Sequence, residues 1–210
     1  MKHYKIKEIH LTWQGEGYHT GRRAVFVRFT GCNLWSGREE DRHKAICQFC
    51  DTDFVGTDGH DGGHYSAKTL TDHILNLWDN PDECPYAVFT GGEPLLQLDE
   101  ALIAELKRKD IIIALESNGT LPAPEGIDWI CMSPKANTTI VQDHGQELKI
   151  VFPQEGIDPK DFNNMKFEHR FLQPMDGNFT EQNTEACRAY IQENRQWQLS
   201  VQTHKILGIP

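Results

Sequence analysis

No apolar run in this chain approaches the length that spans a bilayer. Its opening residues, Met1-Lys2-His3-Tyr4-Lys5-Ile6-Lys7-Glu8, also lack the apolar core of a secretory signal. A cytoplasmic location with no membrane partner is therefore expected, and thiols stay reduced there. Cationic residues are scarce, with 21 Lys and Arg against 31 Asp and Glu and a formal charge of −10. That balance excludes a broad phosphate-backbone footprint, so no nucleic-acid partner is expected, although a local basic pocket for an anion remains open. Internal repeats and long linkers are missing, and 210 residues read as one α/β domain, 1–210. Six cysteines are present, but the length and the lack of a secretion signal argue against a disulfide framework.

Apolar β-rich runs alternate with helical patterns. Candidate strands cover residues 4–11, 24–30, 86–90, 110–116, 127–132, 147–152, 168–173 and 198–204. Ser66 is a candidate N-cap for a helix over 66–79 with Leu70, Ile74, Leu77 and Trp78 on one face. A second helix is expected over about 98–109, with Leu102, Ile103 and Leu106 inward. A third begins near Thr180 and carries Ala186, Ala189, Tyr190 and Ile191. Strand-then-helix order predicts parallel strands with crossover helices, and too few helices appear for a complete eight-fold barrel. The fold class expected is α/β, an incomplete, abbreviated parallel-stranded barrel. Functional residues of such sheets lie at the carboxyl ends of the strands.

Five segments meet that criterion. Cys32 follows the buried strand Ala24-Val25-Phe26-Val27-Arg28-Phe29, and Cys47-Gln48-Phe49-Cys50 with Asp51-Thr52 comes soon after. Thiolates are soft ligands suited to an iron–sulfur cluster or to zinc, and three of them leave one coordination position vacant. A zinc site would need a fourth ligand, for which His43 and Asp51 are candidates. Phe89-Thr90-Gly91-Gly92-Glu93-Pro94 is the second segment: adjacent glycines let a ligand approach the backbone, and Glu93 can accept from an ammonium group. Glu116-Ser117-Asn118-Gly119, Ser133-Pro134-Lys135 and Gln173-Pro174-Met175-Asp176 complete the set. Cys84, Cys131 and Cys187 read as buried or half-buried small apolar residues. The run 56–64 is too glycine-rich to order itself, so His60, Asp61 and His64 belong to a mobile loop rather than a second metal site. Trp78 and Trp129 read as core or dimer contacts.

The cysteine triplet followed by Gly-Gly-Glu-Pro resembles the radical S-adenosylmethionine enzymes. Their usual Cys-x3-Cys-x2-Cys spacing is exceeded here, because fourteen residues separate Cys32 from Cys47. The polar insertion, about 35–46, reads as a solvated loop that can bring the two cysteines together at modest closure cost. Trp13-Gln14-Gly15-Glu16-Gly17, Arg28, Thr30-Gly31-Cys32-Asn33-Leu34, Cys50-Asp51-Thr52 and Glu116-Ser117-Asn118-Gly119-Thr120 sharpen the likeness. Together they are similar to the 7-carboxy-7-deazaguanine synthase family, over most of the chain.

That resemblance implies a 4Fe-4S cluster on Cys32, Cys47 and Cys50, with S-adenosylmethionine at its open iron. It implies reductive cleavage to a 5′-deoxyadenosyl radical and hydrogen abstraction from 6-carboxy-5,6,7,8-tetrahydropterin. Ring contraction with loss of ammonia then gives 7-carboxy-7-deazaguanine, on the route to queuosine. The cofactor would meet Phe49, Cys50, Asp51, Gly91, Gly92, Glu93, Ser117, Ser133, Pro134, Lys135 and Gln173. Thr52 would hold magnesium, a hard cation that takes oxygen ligands. Substrate would meet Trp13, Gln14, Gly15, Glu16, Arg28, Thr90, His204 and the terminal carboxylate of Pro210. A homodimer and a flavodoxin or ferredoxin as electron donor are further implications. The rival readings are a glycyl-radical enzyme activase and a non-catalytic zinc-stabilised module.

Overall fold

The structure, a computed structural model, describes residues 2–209. Nine strands form one sheet in the order β3-β1-β2-β4-β5-β6-β7-β8-β9. The strands are β1 (Tyr4–Trp13), β2 (Arg23–Phe29), β3 (Gly63–Tyr65), β4 (Tyr86–Gly91), β5 (Ile112–Ser117), β6 (Trp129–Met132), β7 (His144–Phe152), β8 (Lys166–Pro174) and β9 (Gln198–Leu199). Every neighbouring pair from β2 to β9 is parallel, whereas β1 runs antiparallel to both β2 and β3. Edge strands β3 and β9 do not pair, so the barrel is incomplete.

Helices α1 (Ala67–Leu77) and α2 (Glu100–Lys107) cover one half, and α3 (Thr180–Glu193) the other. Ser66 caps α1 by accepting from the Thr69 amide, and Thr69 reciprocates. Asp99 caps α2 by accepting from Leu102. Leu70 and Ile74, one turn apart, and Leu102, Ile103 and Leu106 bury against Ile6, Ile9, Val25, Val27, Phe89 and Ile113. A second cluster joins Leu148, Ile150, Leu172, Cys187 and Trp197 under α3. No helix among the described residues is long and apolar enough to cross a membrane.

Five expectations need correction. Residues 198–204 do not form one strand: β9 is only Gln198–Leu199, and Thr203–Leu207 is a short helix, α4. The Thr203 amide and hydroxyl both bond the Gly15 carbonyl, at 2.9 Å each, which turns the chain across the sheet instead of along it. The 56–64 run is ordered by docking on β1: the Gly59 amide bonds Lys7 O at 3.0 Å and the Ile9 amide bonds His60 O at 2.8 Å. The contact explains the glycines, because a Cβ on Gly62 would sit 2.3 Å from the Lys7 carbonyl. The 35–46 insertion is exposed along a 3-10 turn at Glu39–Lys44, yet Trp35 at its start is buried against Phe54, with ring centroids 5.6 Å apart. Cys84 is exposed in the connection between α1 and β4, not packed; Cys131 and Cys187 are buried. No crossover helix separates β5 from β6 or β6 from β7.

Candidate active site

The inner face of the sheet and the loops at its carboxyl edge enclose a cavity of about 590 Å³. Its size suits a nucleoside-scale ligand with a second small molecule. Cys32, Cys47 and Cys50 all line it. The 14-residue gap is closed by the Leu34 carbonyl, which accepts from the amides of Ile46 at 3.0 Å and Cys47 at 3.4 Å. Cys32 and Cys47 thus flank one short backbone link, and residues 35–45 loop out from it.

The thiols differ in their surroundings. Cys50 is pulled down to about 6, first by the hydrogen bond from the Cys47 thiol and further by Thr52. Cys47, which gives that bond and is buried, is pushed up. Burial likewise raises Cys32, against the amides of Leu34 and Trp35. Among the described residues no three His, Cys, Asp or Glu side chains converge on one metal-ion position. Three soft donors spread over a cavity wall suit a multi-iron cluster, whereas a structural zinc needs four ligands on one ion.

Cofactor-side residues fall on the same wall with two exceptions. Phe49, Asp51, Thr52, Gly91, Gly92, Ser117, Ser133, Lys135 and Gln173 line the cavity. Gly92 is forced to be glycine, because a Cβ there would lie 2.3 Å from Gly31 O and 2.6 Å from Cys32 Cβ. Lys135 donates from Nζ to Ser133 O at 2.7 Å and to Ser133 Oγ at 2.8 Å. Burial lowers its affinity for a proton, opposed by Cys47 and Cys50. Glu93 and Pro134 are not on the wall. Glu93 is fully buried and accepts from Ser117 Oγ, the Leu95 amide and the Asn118 amide at 2.8–3.0 Å. It fastens the β4 loop to the end of β5, and burial raises its carboxyl despite those donors.

A polar floor lines the same cavity. Gln14 donates to Glu116 Oε1 at 2.9 Å and accepts from the Glu16 amide at 3.1 Å. Glu16 accepts from Lys149 Nζ at 2.5 Å and from Gln202 at 2.8 Å. Lys149 also stands 3.6 Å from Glu116. Burial alone would lower Lys149, but Glu116 and Glu16 outweigh it and lift it well above its usual range. Burial would raise Glu16, but the Lys149 charge and the donors around it hold the carboxyl low. Arg28 pairs through Nε with Glu8 at 2.7 Å and stands in register with Thr90 on β4. Trp13 is half exposed at the rim.

The tail straps this floor. His204 packs so tightly on Gly15 that a Cβ there would be 2.2 Å from its Nδ1. Lys205 bonds both Asp51 and Asp176, joining the cysteine loop to the loop after β8. Pro210 lies outside the described residues. Lys149 and Glu116 went unassigned in the sequence reading. The signal for Lys149 was available: it is the one charge inside the apolar run Leu148-Lys149-Ile150-Val151-Phe152.

Comparison with known proteins adds a decisive observation. Residues 42–142 match the family model described as the Radical SAM superfamily. A 7-carboxy-7-deazaguanine synthase from Caulobacter vibrioides is 55% identical over 208 residues, covering 99% of both chains. The enzyme of the same name from Bordetella pertussis is 54% identical, again over 99% of each. The chain belongs to the 7-carboxy-7-deazaguanine synthase family. The crystal structure of QueE from Escherichia coli superposes with a TM-score of 0.72 at 26% identity, over 96% of this chain and 95% of that one. The superfamily match begins at Arg42, inside the insertion, so it leaves out Cys32 and the looped-out start of this synthase-family chain.

Proposed function

We propose that this chain is a radical S-adenosylmethionine lyase that converts 6-carboxy-5,6,7,8-tetrahydropterin to 7-carboxy-7-deazaguanine with loss of ammonia. The observation that carries the reading is one cavity lined by two chemically distinct groups: three thiols with a glycine turn, and a Gln14–Glu16–Glu116–Lys149 polar network. Full-length identity to enzymes bearing that name supports it.

Cys32, Cys47 and Cys50 would hold the 4Fe-4S cluster, and Gly91, Gly92, Ser117, Ser133, Lys135, Gln173, Phe49 and Asp51 would line the S-adenosylmethionine site. When bound, this pair supplies one-electron cleavage of the sulfonium and a carbon radical that abstracts hydrogen. The chain's own residues do the rest. The missing Cβ at Gly92 lets the Gly31–Cys32 loop pack directly on the glycine turn, which sets Cys32 beside the cofactor site. Glu93 and Pro134 act from behind the wall: the Glu93 carboxylate keeps the ends of β4 and β5 in register under the ligand. Gln14, Glu16 and Glu116 offer an amide and carboxylates to the amino and ring N–H groups of a pterin, and Lys149 keeps the Glu16 carboxylate ionised to accept them. Arg28, oriented by Glu8, suits the substrate carboxylate, with Thr90, Trp13, Gly15 and His204 around it. The terminal carboxylate of Pro210 is proposed to complete this pocket.

Thr52 is the proposed magnesium contact, through a hydroxyl that in this structure helps hold the Cys50 thiolate. A homodimer reduced by a flavodoxin or ferredoxin, in the cytoplasm, is the assembly and setting proposed. The test is anaerobic iron and sulfide analysis, then measurement of S-adenosylmethionine cleavage with and without the pterin. About four irons per chain and pterin-stimulated 5′-deoxyadenosine support the reading. A single zinc per chain, or cleavage stimulated by a glycyl-radical protein and not by the pterin, overturns it.

A further inference from the structure

The insertion between Cys32 and Cys47 is not an inert excursion. Its 3-10 turn presents Arg42 back toward the loop from which it departs. Arg42 Nη1 donates to the carbonyls of Gln48 at 2.9 Å and Cys50 at 3.0 Å. The guanidinium carbon lies over the buried Trp35 ring, 4.0 Å from its centroid. Nε and Nη2 are gripped by Glu39 of the same turn, with Nε 2.8 Å from Oε2. Trp35 is itself fixed, its Nε1 donating to Arg38 O at 3.2 Å and its ring meeting Phe54 edge-on. One planar cation is therefore held by an indole, a carboxylate and two carbonyls, and those carbonyls belong to the backbone of the Cys-x-x-Cys segment.

We propose that Arg42 is a positioning residue that clamps the Cys47–Cys50 loop and raises the reduction potential of the cluster held there. The inference rests on the reading of these cysteines as cluster ligands. The physical argument has two parts. Two carbonyls of a four-residue ligand loop bound to one rigid fork fix the direction of the Cys50 side chain, as outer partners of metal ligands do. A lysine could not reproduce that planar fork stacked on an indole. Reduction adds negative charge to a cluster, so a fixed cation beside its ligand loop favours the reduced form. Glu39 opposes that effect from the far side of the guanidinium. The two residues therefore predict shifts of opposite sign, which a purely mechanical role for the insertion does not.

The test uses the full-length chain with Arg42→Gln, Glu39→Gln and Arg42→Lys. Each variant is loaded anaerobically, assayed for iron and sulfide, and titrated electrochemically with electron paramagnetic resonance detection. At a fixed potential, Arg42→Gln should raise the ratio of oxidised to reduced cluster about three- to tenfold, tenfold corresponding to about 59 mV for one electron. Glu39→Gln should lower the same ratio about threefold, and Arg42→Lys should stay within twofold of wild type while losing iron to a chelator several times faster. If Arg42→Gln loses its cluster altogether, the Glu39→Gln and Arg42→Lys titrations decide. Loaded Glu39→Gln that titrates within twofold of wild type overturns the proposal, as does loaded Arg42→Gln that does so. A wild-type chain that binds no iron under the same conditions overturns the cluster reading beneath it, a result visible before any variant is made.

Discussion

Replacing Lys149 with Met should be among the most damaging single changes at the cavity floor. The lysine side chain is 5% exposed and sits 2.5 Å from Glu16 and 3.6 Å from Glu116. Met matches its length without its charge and leaves two carboxylates facing each other. Removing one partner of a buried pair costs about 3–5 kcal/mol, because the survivor keeps its desolvation penalty. Glu16 retains the Gln202 bond, so the lower end, about 3 kcal/mol, is expected. For a chain of this size that is roughly a 6–12 °C fall in Tm. Urea unfolding at neutral pH measures it, and adding Glu16→Gln should recover about half, since the orphaned charge goes with it. The pH dependence supplies a sign. In the wild type the native Glu16 resists protonation that the unfolded chain accepts in the usual carboxylate range. Its contribution is therefore present above that range and lost as pH falls through the depressed native value. Without Lys149, burial raises Glu16 instead, so the native state takes the proton first. The stability gap between wild type and Lys149→Met should narrow as pH falls from 7 toward 4. A loss below about 1 kcal/mol, or a gap that stays constant with pH, would refute the reasoning.

Three further changes probe the cysteine loops and the Arg28 ion pair. Cys47→Ala should abolish cluster retention, so full iron content in the purified variant would sink its ligand role. Gly92→Ala should push the Gly31–Cys32 loop away from position 92, costing about 1–3 kcal/mol and weakening S-adenosylmethionine binding at least tenfold in equilibrium dialysis; unchanged binding would show that the close approach is not needed. Arg28→Ala should raise KM for the pterin by tenfold or more with a smaller effect on kcat, and an unchanged KM would count against the carboxylate clamp.

Much of the fold was legible because it is written in local pattern. Leu70 and Ile74 behind a Ser66 cap, and Leu102, Ile103 and Leu106 behind Asp99, carry helical periodicity that tertiary packing then reinforces. The central strands are apolar on both faces, and that pattern is hard to miss. The errors arose where a distant partner decides local shape. Residues 198–204 look strand-like but are diverted by the Gly15 carbonyl, nearly 190 positions away in the chain. The glycine-rich run orders only because Lys7 and Ile9 on β1 receive it. The insertion is polar by composition, and nothing local announces that Trp35 is buried or that Arg42 returns to the Cys50 carbonyl. At the site, motif residues could be named one by one, but the sequence does not reveal that Gln14, Glu16, Glu116 and Lys149 form a single network, because three separate elements, the loop after β1, β5 and β7, supply them. Glu93 shows the reverse case: its motif marks it for a ligand, while its carboxylate is spent on backbone and Ser117 donors.

One cavity that brings a cluster-bound cofactor and a reduced pterin together for ring contraction must yield the contracted product. The most direct measurement is an anaerobic reaction of the cluster-loaded chain with reductant, magnesium, S-adenosylmethionine and 6-carboxy-5,6,7,8-tetrahydropterin, read by mass spectrometry. The account predicts 7-carboxy-7-deazaguanine formed over multiple turnovers, dependent on each component. A fully loaded chain that consumes S-adenosylmethionine but yields no 7-carboxy-7-deazaguanine would contradict it.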